Sequence, residues 1–201
     1  MKKEEFVIRI THACEEVRAA EPLLTEIDSK FGDADHGYTM SKIATVIENA
    51  VKESDGNIKE MIDDAAMAVM GENGGSAVPL WNTWLDGMQE GAPEADEMDA
   101  QQIKDMFARA LEELDDMSGA KVGDKSMMDA FIPATEAMVA CDGDEQAIFE
   151  AGAKAAAEGA ENTKNFKSKF GRAKSYGDKT IGTPDCGALS ASLFFKGLAK
   201  Q

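Results

Sequence analysis

Hydrophobic residues recur at helical spacing along most of this chain. In residues 4–20 they are Phe6, Ile10, Cys14 and Val17, separated by charged residues. This spacing places them on one face of an α-helix. The same period returns in the segments 22–28, 38–53, 58–70, 76–90, 99–116, 126–141, 144–163 and 186–200. Strand-like alternation is absent and the joints are short, so the pattern predicts an all-α antiparallel barrel or bundle of about eight helices.

One long stretch, residues 164–185, lacks apolar periodicity. It contains glycines and six basic side chains, which are Lys164, Lys167, Lys169, Arg172, Lys174 and Lys179. A loop of that length inside a compact domain is usually functional or disordered. Its positive charge predicts contact with nucleotide phosphates or with a partner, and a solvated loop is the alternative.

Composition indicates one globular domain, residues 1–201. The chain is 43% hydrophobic and 29% charged, which is enough for one sizeable core. Its net charge of −17 repels nucleic acids and anionic membranes, so neither is an expected partner. Three widely spaced cysteines indicate neither a disulfide framework nor a zinc site. Since no apolar run resembles a signal region or a membrane span, we expect a cytoplasmic protein.

The densest cluster of chemically active residues lies between two predicted helices. Residues 28–40 contain three carboxylates, Asp28, Asp33 and Asp35, with one histidine and two glycines. Asp33 and Asp35 can turn onto a common centre, with Asp28 reaching over from the preceding helix end. Such all-oxygen sets suit hard cations, and Mg²⁺ shares its remaining positions with substrate phosphates. The loop therefore predicts a magnesium and phosphate site, with the amides of the helix that begins near Gly37 facing the same anion.

Three other kinds of site use similar residues. Asp, Gly and His are common in ordinary turns, where carboxylates are simply solvated. A calcium EF-hand loop that starts at Asp33 requires Gly and Glu at its sixth and twelfth positions, where Tyr38 and Ala44 stand. A phosphatase-type Asp-x-Asp nucleophile follows a buried strand, whereas residues 24–31 have helical spacing. The last two do not fit, and the first stays open.

Further turns lead into predicted helices. Residues 74–77 (Gly-Gly-Ser-Ala) can capture phosphate with backbone N–H groups, although Ser76 as an ordinary N-cap is the simpler explanation. Met127 follows the turn at Gly123 and can line an adenine pocket, but a methionine on an apolar face is more often core. Asp185 is placed to cap the last helix.

Taken in order, these motifs resemble the L subunit of dihydroxyacetone kinase over almost the whole chain. They are residues 24–28 (Leu-Thr-Glu-Ile-Asp), 32–37 (Gly-Asp-Ala-Asp-His-Gly), 74–76 (Gly-Gly-Ser), 123–129 (Gly-Asp-Lys-Ser-Met-Met-Asp), 171–173 (Gly-Arg-Ala), 181–182 (Ile-Gly) and 185–188 (Asp-Cys-Gly-Ala). The resemblance implies an eight-helix barrel that holds ADP or ATP at one end. Two Mg²⁺ ions would bridge the phosphates to Asp28, Asp33 and Asp35.

The resemblance also implies the rest of the nucleotide pocket. Its phosphate, ribose and base contacts would come from His36, Gly37, Tyr38, Thr39, Ser76, Ala77, Gly119, Met127, Arg172, Asp185, Cys186 and Gly187. Several positions depart from the family pattern. The family usually has Ser-Gly where Ala77 and Val78 stand, so one hydroxyl is missing beside the γ-phosphate. Ala34 replaces a common glycine and Cys186 a common proline.

The function implied by the resemblance is that of half a kinase. Phosphoryl transfer would depend on charge neutralisation and positioning. The acceptor, dihydroxyacetone or a similar small ketose, would be held by a separate K subunit. The donor would be either ATP or a bound ADP recharged by the M subunit, a phosphohistidine protein of the phosphotransferase system. A homodimer, a nucleotide-impaired paralogue that acts as a regulatory partner, and a metal-dependent phosphatase are left open.

Overall fold

The computed structural model describes every residue from Met1 to Gln201 and contains nine α-helices and no β-sheet. The helices are α1 (Lys3–Ala19), α2 (Glu21–Asp28), α3 (His36–Glu53), α4 (Ile58–Met70), α5 (Ala77–Gly91), α6 (Ala100–Ser118), α7 (Met128–Ala140), α8 (Glu145–Asn162) and α9 (Cys186–Leu198). Their ends lie within two residues of the predicted ones. The all-α fold expected from the hydrophobic spacing is therefore confirmed.

The eight long helices form a closed ring. Each packs against the next in the order α1, α3, α4, α5, α6, α7, α8, α9, and α9 returns to α1. The short α2 packs on α3. Most joints are short, although residues 163–185 separate α8 from α9. Consecutive helices of the ring run antiparallel, and the N-termini of α3, α5, α7 and α9 therefore lie at one end. No helix is both long and apolar enough to cross a membrane.

Polar side chains determine where several helices begin. Asn57 accepts a hydrogen bond from the backbone N–H of Glu60, and the Glu60 side chain returns to the Asn57 N–H. Asp99 and Gln102 form the same reciprocal pair at the start of α6. Such capping boxes satisfy amides that have no partner within the helix. The helix boundaries are therefore encoded locally in the sequence.

Aromatic side chains fill the centre of the ring. Trp81 and Trp84 on α5 are buried against Phe131 of α7 and Phe194 of α9, with ring centroids 5.0 to 5.6 Å apart. The rings meet at tilted or edge-on angles, which favours aromatic pairs beyond the area that they bury. This packing connects helices from both halves of the chain, so it provides a rigid frame for the end that carries the loops.

The stretch predicted to lack an ordinary helix contains two 3₁₀ segments, Thr163–Asn165 and Arg172–Thr180. Tight 3₁₀ turns are short and bury no continuous apolar face, so hydrophobic periodicity does not reveal them. Most side chains from residue 169 to 179 are exposed. The segment ends directly before the N-terminus of α9.

Candidate functional site

The predicted site residues meet at the end of the ring where four helices begin. Cys186, the first residue of α9, places its sulfur 3.7 Å from Oδ1 of Asp28 at the end of α2. Arg172, in the second 3₁₀ segment, places Nη2 2.7 Å from Oδ2 of Asp33. Distant parts of the chain therefore form one site. Helix N-termini add unpaired N–H groups and partial positive charge to it.

Three carboxylates lie together in this site. One oxygen from each of Asp28, Asp33 and Asp35 lies within 4.8 Å of the other two. Asp33 and Asp35 are exposed, whereas Asp28 is half-buried. Small side-chain rotations can bring oxygens at these separations onto a hard cation, so the three residues fit the predicted Mg²⁺. Their role as metal ligands stays a prediction.

Asp28 also holds the acidic loop in shape. Its Oδ2 accepts hydrogen bonds from the backbone N–H groups of Asp35 at 3.1 Å and His36 at 3.4 Å. Asp35 occupies the N-cap position of α3 but makes no capping bond with its own side chain. Asp28 therefore caps a neighbouring helix in addition to its place among the carboxylates.

Negative charge accumulates at Asp35. Partial burial and the charges of Asp33 and Asp28 raise the pKa of Asp35, and the nearby Arg172 guanidinium offsets only part of this effect. Like charges held this close disfavour ionisation. A divalent cation among the three carboxylates would remove this repulsion, which favours metal binding.

Arg172 lies on the wall of an open cleft next to the carboxylates. The cleft has a volume of about 730 Å³, and its lining residues are Phe31, Gly32, Gly171, Arg172, Lys174, Ser175 and Tyr176. Its two walls also meet through the rings of Phe31 and Tyr176, whose centroids are 5.2 Å apart. The cleft is within the size range of small-ligand sites. The Arg172 side chain is 72% exposed, so its guanidinium can exchange Asp33 for a phosphate.

The turn before α5 lies against the first turn of α3. A Cβ on Gly74 would come within 2.4 Å of Cγ2 of Thr39, so glycine permits this close approach. Ser76 occupies the N-cap position of α5, but its side chain makes no capping hydrogen bond, so the simple capping role expected for it is wrong. Ala77 is buried. The Ser76 hydroxyl and the first amides of α5 are therefore available to an anion.

The residues that begin α3 have different environments. His36 Nε2 lies 3.0 Å from Oγ of Ser190 on α9, and burial lowers the pKa of His36, so a neutral imidazole links α3 to α9. Gly37 and Thr39 are buried. The Tyr38 side chain is 60% exposed. Only Tyr38 presents its side chain to solvent here, and the nucleotide contacts expected from the four residues stay predictions.

The remaining predicted pocket residues come from the ends of α6, α7 and α9. Gly119 ends α6 in a left-handed conformation, with φ of 63°. Met127, at the N-cap position of α7, is 6% exposed and belongs to the core. A Cβ on Gly187 would lie 3.4 Å from Cβ of Met127, so the starts of α7 and α9 are adjacent. Met127 therefore belongs to the hydrophobic core and also lies next to the site.

Sequence reasoning assigned no role to two buried charges in this region. Asp129 accepts hydrogen bonds from the backbone N–H groups of Gly123 at 2.6 Å and Ser126 at 2.7 Å, which closes the turn before α7. Lys125 is 4% exposed, and its ammonium group donates hydrogen bonds only to backbone carbonyls. Both residues stand in the Gly-Asp-Lys-Ser-Met-Met-Asp motif at 123–129, but burial could not be read from the motif alone.

Asp185 caps α9 as expected from the sequence. Its Oδ1 accepts a hydrogen bond from the Ala188 N–H at 2.8 Å, while its own N–H donates to Oγ1 of Thr163 at 2.9 Å. Burial raises the pKa of Asp185 to about 6, despite the capping bond. The residue therefore connects the start of α9 to the end of α8 and titrates within an accessible pH range.

Replacing Asp185 with Asn is expected to alter the pH dependence of stability. Because the pKa of Asp185 is raised above its ordinary value of 3.8 to about 6, the folded protein retains a proton that the unfolded chain has released. Stability is therefore lost as pH rises through this window. Asparagine still caps the helix but cannot ionise. Asp185→Asn should exceed the wild type in stability by about 3 kcal/mol above pH 7, and this difference should shrink towards pH 4.

Urea unfolding of both proteins across this pH range measures the difference. The matched control is Asp144→Asn, because Asp144 caps α8 through the Ala147 N–H at 2.9 Å but is exposed. A difference between Asp185→Asn and the wild type that does not change with pH would contradict the prediction.

Ala34 is expected to strain the acidic loop. It has a φ of 61°, in the left-handed region, and is exposed. A Cβ in this conformation costs about 1 kcal/mol, which glycine avoids. Ala34→Gly should therefore raise the free energy of unfolding by up to about 1 kcal/mol in urea titrations. The control is Ala95→Gly, at an exposed position without positive φ, which should lower the free energy of unfolding. Equal decreases in the two variants would show that Ala34 is not strained.

Comparison with known proteins identifies relatives over most of this chain. The DAK2 domain family matches residues 30–200. The L-erythrulose 1-kinase of Mycolicibacterium smegmatis is 32% identical over 183 residues, which cover 89% of this chain and 32% of that protein. This chain therefore spans about a third of the length of the kinase. The ADP-binding subunit DhaL of PEP-dependent dihydroxyacetone kinase 1 from Listeria innocua is 27% identical, covering 90% of this chain and 87% of the subunit.

The fold also matches a solved structure. The dihydroxyacetone kinase from C. freundii, determined in complex with AMP-PNP and Mg²⁺, gives a TM-score of 0.72 at 22% identity over 96% of this chain and 33% of that chain. This likeness concerns the fold. Together with the family match and the DhaL relatives, it confirms the resemblance inferred from the motifs: this chain belongs to the DAK2 domain family.

Proposed function

We propose that this chain is the nucleotide-binding subunit of a kinase that phosphorylates dihydroxyacetone or another small ketose. The observation that carries this proposal is the convergence of Asp28, Asp33 and Asp35 beside Arg172, at the end of the ring where four helices begin. Carboxylates for divalent cations and N–H donors for phosphate are the two parts that phosphoryl transfer requires. Relatives named as ADP-binding subunits and as ketose kinases support the same function.

The ligand would be ADP or ATP with Mg²⁺. Bound at Asp28, Asp33 and Asp35, two Mg²⁺ ions would neutralise charge on the phosphoryl oxygens. Such neutralisation matters here because the chain carries a net charge of −17, which disfavours an anionic ligand. Arg172 would bind a phosphate oxygen once it leaves Asp33. The amides that begin α5 would orient the phosphates.

The acceptor would reach the site on another protein. The cleft lining contains no buried nucleophile and no histidine, and His36 at the start of α3 is hydrogen-bonded to Ser190. The cleft is open to solvent, which leaves room for a K-type subunit that presents the ketose. ATP or a phosphohistidine protein of the M type would renew the phosphoryl group. A homodimer stays a prediction.

A regulatory role without phosphate binding was the alternative suggested by Ala77 and Val78. In the structure Val78 is 7% exposed and packs in the core, so its branched side chain does not fill the cleft. The neighbouring Ser76 hydroxyl has no partner within the helix. Both observations support the kinase subunit over the regulatory paralogue.

Calorimetric titration with ADP tests the proposal. We expect saturable binding and a rise in the thermal midpoint in the presence of Mg²⁺, and loss of both effects with EDTA. Absence of heat and of stabilisation at millimolar ADP and Mg²⁺ would overturn the nucleotide site. Addition of a K-type subunit, with dihydroxyacetone or erythrulose as acceptor and ATP or an M-type phosphoprotein as donor, would then identify substrate and donor. Phosphate release from a sugar phosphate by this chain alone would favour a phosphatase instead.

A further inference from the structure

Lys125 contacts four backbone carbonyls from one segment of the chain. Its Nζ lies 2.8 Å from the carbonyl oxygen of Thr163, 3.1 Å from that of Phe166, 2.7 Å from that of Thr180 and 2.6 Å from that of Thr183. An ammonium group has three N–H bonds, so the four acceptors share them. We call residues 163–183 the clamped segment.

Apart from Lys125, single contacts hold the clamped segment, such as the Lys169 N–H to the Asp124 carbonyl at 3.0 Å. The segment contains no α-helix, and most of its side chains are exposed. Its remaining internal contacts include the Gly182 N–H to the Lys164 carbonyl at 2.7 Å and the Ser168 N–H to Oγ1 of Thr180 at 3.0 Å. Lys125 joins the beginning of the segment to its end, which closes the whole loop around one side chain.

The position of Lys125 is energetically costly in two ways. Its φ of 59° lies in the left-handed region, which lysine rarely adopts. Burial lowers the pKa of its ammonium group, although the charges of Asp185 and Asp129 partly oppose this effect. Costly backbone and burial persist where surrounding contacts over-determine them, and they cluster at functional sites. At Lys125, the four hydrogen bonds to carbonyls hold the costly conformation and the buried charge in place.

We propose that Lys125 is a positioning residue for nucleotide binding, which fixes the clamped segment and thereby sets Arg172 against the carboxylates. The segment contains Arg172, whose guanidinium reaches Asp33, and it leads directly into Asp185 at the start of α9. Lys125 itself is 4% exposed and needs no contact with the ligand. The part of this inference that concerns nucleotide rests on the proposed function, whereas the clamp does not.

Hydrogen exchange of the free protein tests the clamp. Lys125→Met keeps an unbranched side chain that is one atom shorter and removes all its N–H donors. We expect amides that are anchored within the clamped segment, such as those of Ser168 and Gly182, to exchange at least about tenfold faster, with α4 to α6 unchanged. Lys121→Met is the matched control, because Lys121 is exposed and contacts Asp115 instead. Unchanged exchange in the segment would overturn the clamp.

A double-mutant cycle tests the positioning role. Lys125→Met should weaken Mg²⁺-dependent ADP binding by about tenfold or more, and Arg172→Ala should have much less effect in that background than in the wild type. If the losses of ADP affinity in the two variants are fully additive, Lys125 does not act through Arg172. A merely structural role of Lys125 predicts such additivity. If Lys125→Met does not fold, Thr180→Val tests whether loosening the clamped segment acts through Arg172, because it removes the hydroxyl that accepts the Ser168 N–H and leaves Lys125 unchanged. Failure of the wild-type protein to bind ADP would refute the proposed function. The exchange experiment would still test the clamp, because it needs no nucleotide.

Discussion

Asp35→Asn is expected to weaken Mg²⁺-dependent ADP binding by about two orders of magnitude. The substitution removes one of three carboxylates whose oxygens lie within 4.8 Å of one another, so a divalent cation loses an anionic ligand. Changes even to residues that only support metal ligands cost up to about a hundredfold in affinity. Asp35 is preferable to Asp28 for this experiment, because Asp28 also caps α3 through two backbone N–H groups.

The same substitution should leave the free protein folded. Asp35 is exposed, makes no capping hydrogen bond, and lies beside two like charges, so its loss should leave the thermal midpoint unchanged or slightly higher. Calorimetry with ADP, with and without Mg²⁺, measures affinity, and circular dichroism measures the fold. Asp142→Asn in the exposed joint between α7 and α8 is the control, and it should bind normally. Unaltered Mg²⁺-dependent ADP affinity in Asp35→Asn would contradict a metal site at these carboxylates.

Gly37→Ala is expected to destabilise the protein and to abolish nucleotide binding together. A Cβ at residue 37 would lie 2.2 Å from both the Glu21 carbonyl oxygen and Oγ1 of Thr25, and 2.8 Å from the Thr25 nitrogen. Two of these atoms belong to the backbone of α2, so α2 would have to move away from α3. Overpacking of this kind costs about 1 to 3 kcal/mol. It would also separate Asp28, at the end of α2, from Asp35.

Urea unfolding and ADP titration measure the two effects of Gly37→Ala. Gly75→Ala is the matched control, because a Cβ there meets nothing within 4 Å and its φ is not positive. The control should lose little stability. If Gly37→Ala is as stable as the wild type, α2 and α3 do not make the contact described. Stability loss with normal ADP affinity would show that the separation of the two carboxylates does not matter.

Gly37 has a packing role that its sequence context does not predict. The family resemblance assigned it to the phosphates, and its place near the start of α3 agrees with that role. Its buried contact with α2 depends on how two helices approach, which no local pattern specifies. The same applies to Ser76, whose expected capping bond is absent although it lies at the N-cap position.

The sequence by itself determined the helices and the acidic loop. Apolar residues at helical spacing and caps such as Asn57 and Asp99 depend on neighbours within a few positions, so the helix ends could be predicted to within two residues. The three carboxylates fall within eight consecutive residues, 28 to 35, so their proximity also followed from local spacing.

Only the tertiary structure decided which distant residues complete the site. Arg172 meets Asp33, Cys186 meets Asp28, and Lys125 meets the clamped segment because the ring brings four helix starts to one end. The 3₁₀ segments bury no apolar stripe, so hydrophobic periodicity could not place them. From the sequence alone, Lys125 resembles an ordinary surface lysine, because only the closure of the ring removes it from water. Its burial is a property of long-range packing, which the order of residues around it does not contain.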